Sequence, residues 1–547
     1  MSGLLLVNGV LFSDGRVLDG DAVGIRDGRI VATGERRAVR SALGGTVEEV
    51  DARGGLVTPG FVDTHVHLGV GAMDALRCDL SGAASLAEID GRVRAFAAGS
   101  ASPWIVGGGW DPTLFPPSGP TAAHLDALVA DRPALLLDAD HHGAWANSAA
   151  LRAAGIDADT PDPADGRIER DAHGAPSGAV REGAMQLIAR LLPPPTTQDV
   201  ARGILRLSRD LLAAGVTGWQ EAALGVYGGF PDFTDAYLRL LADGTLRGRA
   251  TGAIWVPRDL SVEGIDAFVD QAVERSRANA AAGLPSATAK LMLDGIVETR
   301  TAHLLDPYVG EDTRGLSYFP PSFIQRVIPA LNAAGLAVHV HAIGDAAVRD
   351  ALDGFAAVPT ALRSKVRNHI AHIQLIHPAD VPRFAALGVT ANAQPYWACA
   401  TALFRQSTLP VIGDERRDEL YVFGSLRRSG AQLAMGSDWP VSTFDPWQGI
   451  HVAVTRRPPG EDDAEPLGHD QALDAGAAID AYTRGSARLL GLSGGTLRPG
   501  AAADIAVADR NPLVAEAAGI HETRNVLTVV AGSLVAGSLV TGETAGG

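Results

Sequence analysis

At 547 residues the chain exceeds one ordinary domain, and its 46% hydrophobic and 20% charged content suits a globular protein with a large core. The formal charge of −17, from 46 basic against 63 acidic side chains, argues against a nucleic-acid partner or an anionic membrane surface. Two cysteines, Cys78 and Cys399, offer no disulfide framework and fit a reducing cytoplasm, and no apolar run reaches the ~18 residues of a membrane span. The N-terminus lacks a basic region and meets Asn8-Gly9 within a few residues, unlike a secretory signal.

Residues 4–7, 10–12, 22–25, 30–33 and 47–51 read as short strands, separated by Asn8-Gly9, Asp14-Gly15, Asp27-Gly28 and Gly54-Gly55. Asx-Gly between apolar runs is a strong hairpin signal. The other end is similar, with strands expected at 503–509 and 526–531 and a turn at Gly532-Ser533. Residues 1–57 and 496–547 are therefore expected to build one small β-sandwich domain from both ends.

Between them, apolar runs alternate with helical stretches. Residues 188–192 go with 200–214, 269–281 precede 290–293, and 323–334 precede 336–341. Further on, 346–358 precede 368–374 and 420–429 precede 432–436. Repeated strand–helix units over residues 58–495 predict an α/β fold, a (β/α)8 TIM-like barrel. That span is longer than the ~250 residues of such a barrel, so a large insertion after the first barrel strand is expected. Residues 72–185, where the periodicity lapses, are its place, and a cap over the active site is its expected role.

Gly60-Phe-Val-Asp-Thr-His65-Val-His67-Leu68 opens the barrel. Two residues apart on an extended segment, His65 and His67 point to one side and can form half of a metal site. Alone, such a pair also fits a packed core. Other candidates stand near the ends of later apolar runs: Lys290, His341, His372 and Asp438. Barrel active sites are built at the C-terminal ends of strands, which makes the set more telling than any member.

These motifs resemble the amidohydrolase superfamily, in particular its amidohydrolase-3 branch, which includes N-substituted formamide deformylases. The resemblance spans nearly the whole chain. It rests on Pro59-Gly60 through His67, Gly109-Trp110-Asp111, Trp145-Ala-Asn147-Ser148, Lys290-Leu-Met-Leu-Asp294-Gly295, His341-Ala-Ile-Gly-Asp345, Gly436-Ser-Asp-Trp-Pro440, Tyr482-Thr483 and the closing Gly494–Gly500 stretch with Ala503-Asp504. It implies two divalent metal ions, with zinc the first expectation. His65, His67 and Asp438 would hold one, His341 and His372 the other, and Lys290 would bridge them after carboxylation by carbon dioxide. An ammonium beside a dication is untenable, so Lys290 must be neutral, displaced or converted into an anion.

His339 would share a strand face with His341, as ligand or as a partner behind the ligands; His341 is favoured because the family pattern follows it. His369 matches no motif and reads as structural. His142 matches a family histidine ahead of Trp-x-Asn-Ser, although His141 stands where glycine is usual, and is a substrate-contact candidate. Trp110, Trp397 and Trp439, with Phe115, are candidates for an apolar or aryl pocket; packing is the alternative for each.

The implied chemistry is hydrolysis of a C–N amide bond in a small N-substituted amide, with N-substituted formamides the first guess. Two dications acidify a water, which attacks the carbonyl, and Asp438 carries its proton to the leaving nitrogen. A deaminase or cyclic-amide hydrolase on the same binuclear site is the alternative; phosphotriester or lactone hydrolysis is a further one. A catalytically silent scaffold would be marked by missing ligands, and all six positions are filled. A homodimer is the default expectation for a soluble enzyme.

Overall fold

The computed structural model describes residues 3–116, 119–138, 143–163, 166–193, 195–227, 230–298, 300–514, 517–537 and 541–542. The chain divides into two compact units, one made of Met1–Leu68 with Ile204–Gly547 and the other of Gly69–Gly203.

The larger unit holds eight parallel strands: β1 (Phe61–Val66), β2 (Val216–Leu224), β3 (Arg249–Trp255), β4 (Thr288–Met292), β5 (Ala337–Ala342), β6 (His369–His372), β7 (Thr390–Ala393) and β8 (Leu433–Met435). They pair in chain order, and the backbone just past β8 returns to β1: Asp438 N–H donates to the His65 carbonyl at 2.7 Å, and His67 N–H to the Trp439 carbonyl at 2.8 Å. The architecture is thus the (β/α)8 type that the strand–helix alternation predicts.

Period-two alternation sorts the strand side chains. Ala289, Leu291, Val338, Val340 and Ile370 pack outward against Phe323, Ile324, Val327, Ile328 and Leu331 of the helix Pro321–Ala333. Interleaved with them, Lys290, His339 and His341 are left to the barrel interior. The helix begins at a proline, whose fixed φ and missing N–H suit a first turn, and it buries residues at three- and four-residue intervals. Residues 188–192, expected as an apolar strand-like run, are instead the end of a short helix (Gln186–Ala189) and a turn. A short apolar stretch fits either state, and here no neighbouring strand recruits it.

Strands from both chain ends share two further sheets. One contains Gly3–Val7, Ala22–Arg26, Arg29–Gly34, Val47–Asp51 and Thr541–Gly542; the other contains Val10–Ser13, Arg16–Val17, Leu56–Pro59, Ile505–Ala508, Asn525–Val530 and Ser533–Gly537. Leu4, Leu6, Val23 and Ile25 meet Ile505, Val507, Leu527 and Val529 in one core. The tight turns use positive φ at Asp14 (55°) with Gly15 (74°), and at Asp27 (49°) with Gly28 (74°), the conformation that two-residue hairpins demand. Buried Asp504 pairs with Arg249 at the start of β3 and accepts from the Ala531 N–H at 2.8 Å.

The smaller unit has its own six-stranded sheet, from Gly166–Arg170 through Pro176–Glu182, Gly143–Ala146, Ala134–Asp138 and Ile105–Trp110 to Cys78–Asp79. Trp110, Phe115, Leu136 and Trp145 form its core. Cys78 and Cys399 are both buried, and burial pushes their thiols up to about 11 and about 12, which leaves them inert at neutral pH. Among the described residues no helix is long and apolar enough to cross a membrane.

Candidate metal centre

His65 lies near the end of β1 and His67 directly follows it, and both Nε2 atoms approach one carboxylate oxygen of Asp438, at 3.2 and 3.4 Å. The three donor groups lie within 4.8 Å of one another. Three local features hold them there. Gly436 lets the two strands close, since a Cβ at that position would lie 2.6 Å from the His65 nitrogen. Asp438 has φ 57°, a left-handed backbone uncommon for a non-glycine residue, which turns its side chain back toward β1. Asp63 accepts from the His65 N–H at 3.1 Å and the Ser437 N–H at 2.9 Å, stitching the two strand ends. Burial raises the Asp63 carboxyl to about 6, against those bonds.

Behind the trio, His339 lies in the barrel interior. Its Nε2 is 3.0 Å from His65 Nδ1 and 3.4 Å from Lys290 Nζ, and its Nδ1 is 3.0 Å from Gln220 Oε1. His369 lies beside it, the rings tilted by 47° with centroids 4.3 Å apart. Lys290 is 2% exposed, and burial lowers its amine to about 7.

His372, at the end of β6, has a left-handed backbone with φ 76°, and its ring sits 4.7 Å from His65 and 4.4 Å from His341. Trp397 stacks on it at 5.4 Å with the planes 9° apart. Both His372 ring nitrogens are buried without a hydrogen-bond partner among the described residues. His341 directs Nε2 toward the Gly295 carbonyl at 3.3 Å and Asp294 at 3.6 Å, and Asp294 accepts from the N–H groups of His303, Ile343 and Gly344. The structure therefore gathers His65, His67 and Asp438 tightly, sets His372 and His341 beside them, and leaves Lys290 against His339.

The donor set fits divalent metal ions. Burial first, and the nearby Lys290 charge second, hold His65, His339 and His341 far below the ordinary imidazole value, as burial does for His372. Neutral imidazoles and a carboxylate are the ligands that zinc and related ions take. The two unpartnered nitrogens of buried His372 are what a missing ligand partner leaves behind.

Sequence reasoning overlooked two residues here. Tyr227 places its hydroxyl 3.0 Å from His67 Nδ1, and its ring neighbours Trp255 at 5.1 Å and Phe230 at 5.7 Å. Gln220 bonds to His339. Gln220 lies within the fully buried strand β2 and Tyr227 three residues past its end, and neither stands in a motif that points to a site. Trp397 and Trp439 are half-buried beside His372 and Asp438, the latter ring packing on Phe444 at 5.8 Å. Trp110 is 1% exposed in the core of the smaller unit, where it donates its indole N–H to the Leu136 carbonyl and packs on Phe115, contacts of the kind its packing alternative expects. His142 and its neighbour His141 lie outside the described residues.

The amidohydrolase family profile matches residues 48–536. The chain is 31% identical over 527 residues to Protein LONG AFTER FAR-RED 3 of Arabidopsis thaliana, covering 93% of this chain and 88% of that one. It is 27% identical to the N-substituted formamide deformylase of Arthrobacter pascens, covering 98% of both chains. The crystal structure of a metal-dependent hydrolase from Pyrococcus furiosus superimposes with a TM-score of 0.73 at 26% identity, covering 93% of this chain and all of that one (100%). With a barrel of this type, a family match across most of its length and a cluster of metal-ligand side chains at the strand ends, the chain belongs to the amidohydrolase family, as a metal-dependent hydrolase acting on C–N bonds other than peptide bonds.

Proposed function

We propose that this enzyme hydrolyses the C–N bond of a small N-substituted amide, with N-substituted formamides as the first substrates to test, at a binuclear zinc site. The observation that carries the reading is the convergence of His65 Nε2 and His67 Nε2 on one Asp438 oxygen. His65, His67 and Asp438 would hold one ion and His341 and His372 the other, with Lys290, carboxylated by carbon dioxide, as a further anionic ligand. Its lowered basicity supports that role, because the free amine is the form that takes up carbon dioxide. Bound divalent cations supply Lewis acidity and a water acidified into the neutral range.

The remaining work belongs to the chain. Asp438 accepts the proton of the attacking water and passes it to the departing nitrogen. Tyr227 and His339 fix the rings of His67 and His65 from behind. Tyr227, Phe230 and Trp255 make an aromatic wall beside His67, and Val226 (73% exposed) and Val441 (69% exposed) add apolar surface just past β2 and β8. Such a lining suits an apolar or aryl N-substituent. The deformylase relative, similar along its whole length, makes formyl the first acyl group to try.

The test is amine release from N-benzyl and N-aryl amides of increasing acyl length, with cyclic imides and aminated heterocycles alongside. Preference for formyl over acetyl and longer chains is the expected result. Ammonia from ring substrates, with linear amides untouched, would replace this reading with a deaminase.

A further inference from the structure

Gln220 does not reach the candidate metal ligands, yet the hydrogen-bond chain that ends on them begins at its amide. It sits where β2 shifts register against β1, between Trp219 and Glu221, and such bulges re-aim side chains. Its Oε1 is 3.0 Å from His339 Nδ1. A carbonyl oxygen only accepts, so His339 Nδ1 carries the proton and, in a neutral ring, Nε2 is left as an acceptor. That acceptor faces His65 Nδ1 at 3.0 Å and Lys290 Nζ at 3.4 Å. His65 then donates from Nδ1, and its Nε2 lone pair points at Asp438 Oδ1, 3.2 Å away. Two acceptors at that distance repel unless a cation lies between them.

Rotating the amide by half a turn reverses the bonds that run from Gln220 through His339 and His65 to Asp438. The Gln220 NH2 donates to His339 Nδ1, His339 Nε2–H donates to His65 Nδ1, and His65 Nε2–H donates to Asp438. A hydrogen bond then closes the space between the two ligands. Gln220 also lines a cavity of about 160 Å³ with Thr251, Thr288 and Ala337.

We infer that Gln220, acting through His339, is a positioning residue that sets the tautomer of His65 and so the affinity of the His65–His67–Asp438 trio for a divalent ion. Its two amide orientations correspond to the metal-accepting and metal-free forms of that trio. The inference rests on the reading of His65 as a ligand.

The experiment titrates metal-stripped protein with Co2+ alone, following visible absorbance and, after dialysis, metal content. Gln220→Met, which offers His339 no acceptor oxygen, is expected to bind about tenfold more weakly, the lower end of the effect of removing a partner behind a metal-bound histidine, because it acts through His339. Gln220→Glu, whose carboxylate accepts as the amide oxygen does, is expected to stay within about threefold of wild type by the same argument. Nitrogen-15 NMR of the zinc-loaded wild type, which requires no variant, should show the Nδ1–H tautomer at both His339 and His65. Equal affinity in Gln220→Met, or an Nε2–H tautomer at His339 in the zinc-loaded protein, overturns the inference. A wild type that binds no divalent ion, or a His65→Ala variant that binds as the wild type does, overturns the ligand reading beneath it; binding lost in His65→Ala but unchanged in Gln220→Met overturns the Gln220 role alone.

Discussion

A metal-ligating imidazole is only as well aimed as the group that holds its other nitrogen. For His67 that group is the Tyr227 hydroxyl at 3.0 Å. Tyr227→Phe keeps the ring against Trp255 and removes only the hydroxyl, so metal affinity should fall about tenfold while the fold is retained. Equilibrium dialysis against zinc, with a melting curve as the control, checks this. Lys290 makes a second prediction: if its carboxylated form is a metal ligand, stripped enzyme reloaded in buffer purged of carbon dioxide should recover less bound metal than enzyme reloaded with bicarbonate, and Lys290→Ala should show no bicarbonate effect. The ligand candidates were legible because each sits in a short motif near a strand end. Tyr227 and Gln220 were not, because no local pattern distinguishes a tyrosine or glutamine that reaches a histidine more than a hundred residues away. Trp110 shows the converse: an aromatic in a family motif is equally suited to a core, and here it is buried in one.

The strands that deliver the ligands were legible where apolar alternation is strong, as in β4 and β5, whose outward residues pack on the helix Pro321–Ala333. β2, buried along all nine residues, and β3 carry no such alternation to announce a strand, and the side chains they place inside went unread with them. The closing seam between β8 and β1 is the most demanding junction. At Gly436 a methyl group would meet the His65 backbone nitrogen at 2.6 Å. Gly436→Ala should therefore separate Asp438 from the two histidines and cost about 1–3 kcal/mol of stability, as overpacking does. Chemical denaturation measures the stability, and zinc content measures the separation; a variant with both unchanged would show that the seam yields more easily than its geometry suggests.

At the scale of the molecule, stability and catalysis draw on buried histidines at different places. His451, in the helix Pro446–Thr455, is 1% exposed, and burial lowers it to about 4, with His521 beside it at 4.8 Å. The unfolded chain takes up a proton near the ordinary value of about 6.5, whereas the folded chain resists until about 4. More protons bound in the unfolded state means stability that is full above pH 6.5 and lost as the pH falls toward 4. His451→Leu should accordingly gain in melting temperature relative to wild type between pH 7 and pH 5; a constant difference across that range would contradict the assignment. The metal centre is the more central claim, because both the family chemistry and the proposed substrate depend on it.

The most direct measurement is amine release from an N-substituted formamide by chelator-stripped enzyme, before and after zinc is restored, with His67→Ala treated in parallel. The account predicts no release from stripped protein, recovery in the wild type and none in the variant. Activity that survives stripping, or recovers fully in His67→Ala, would contradict it.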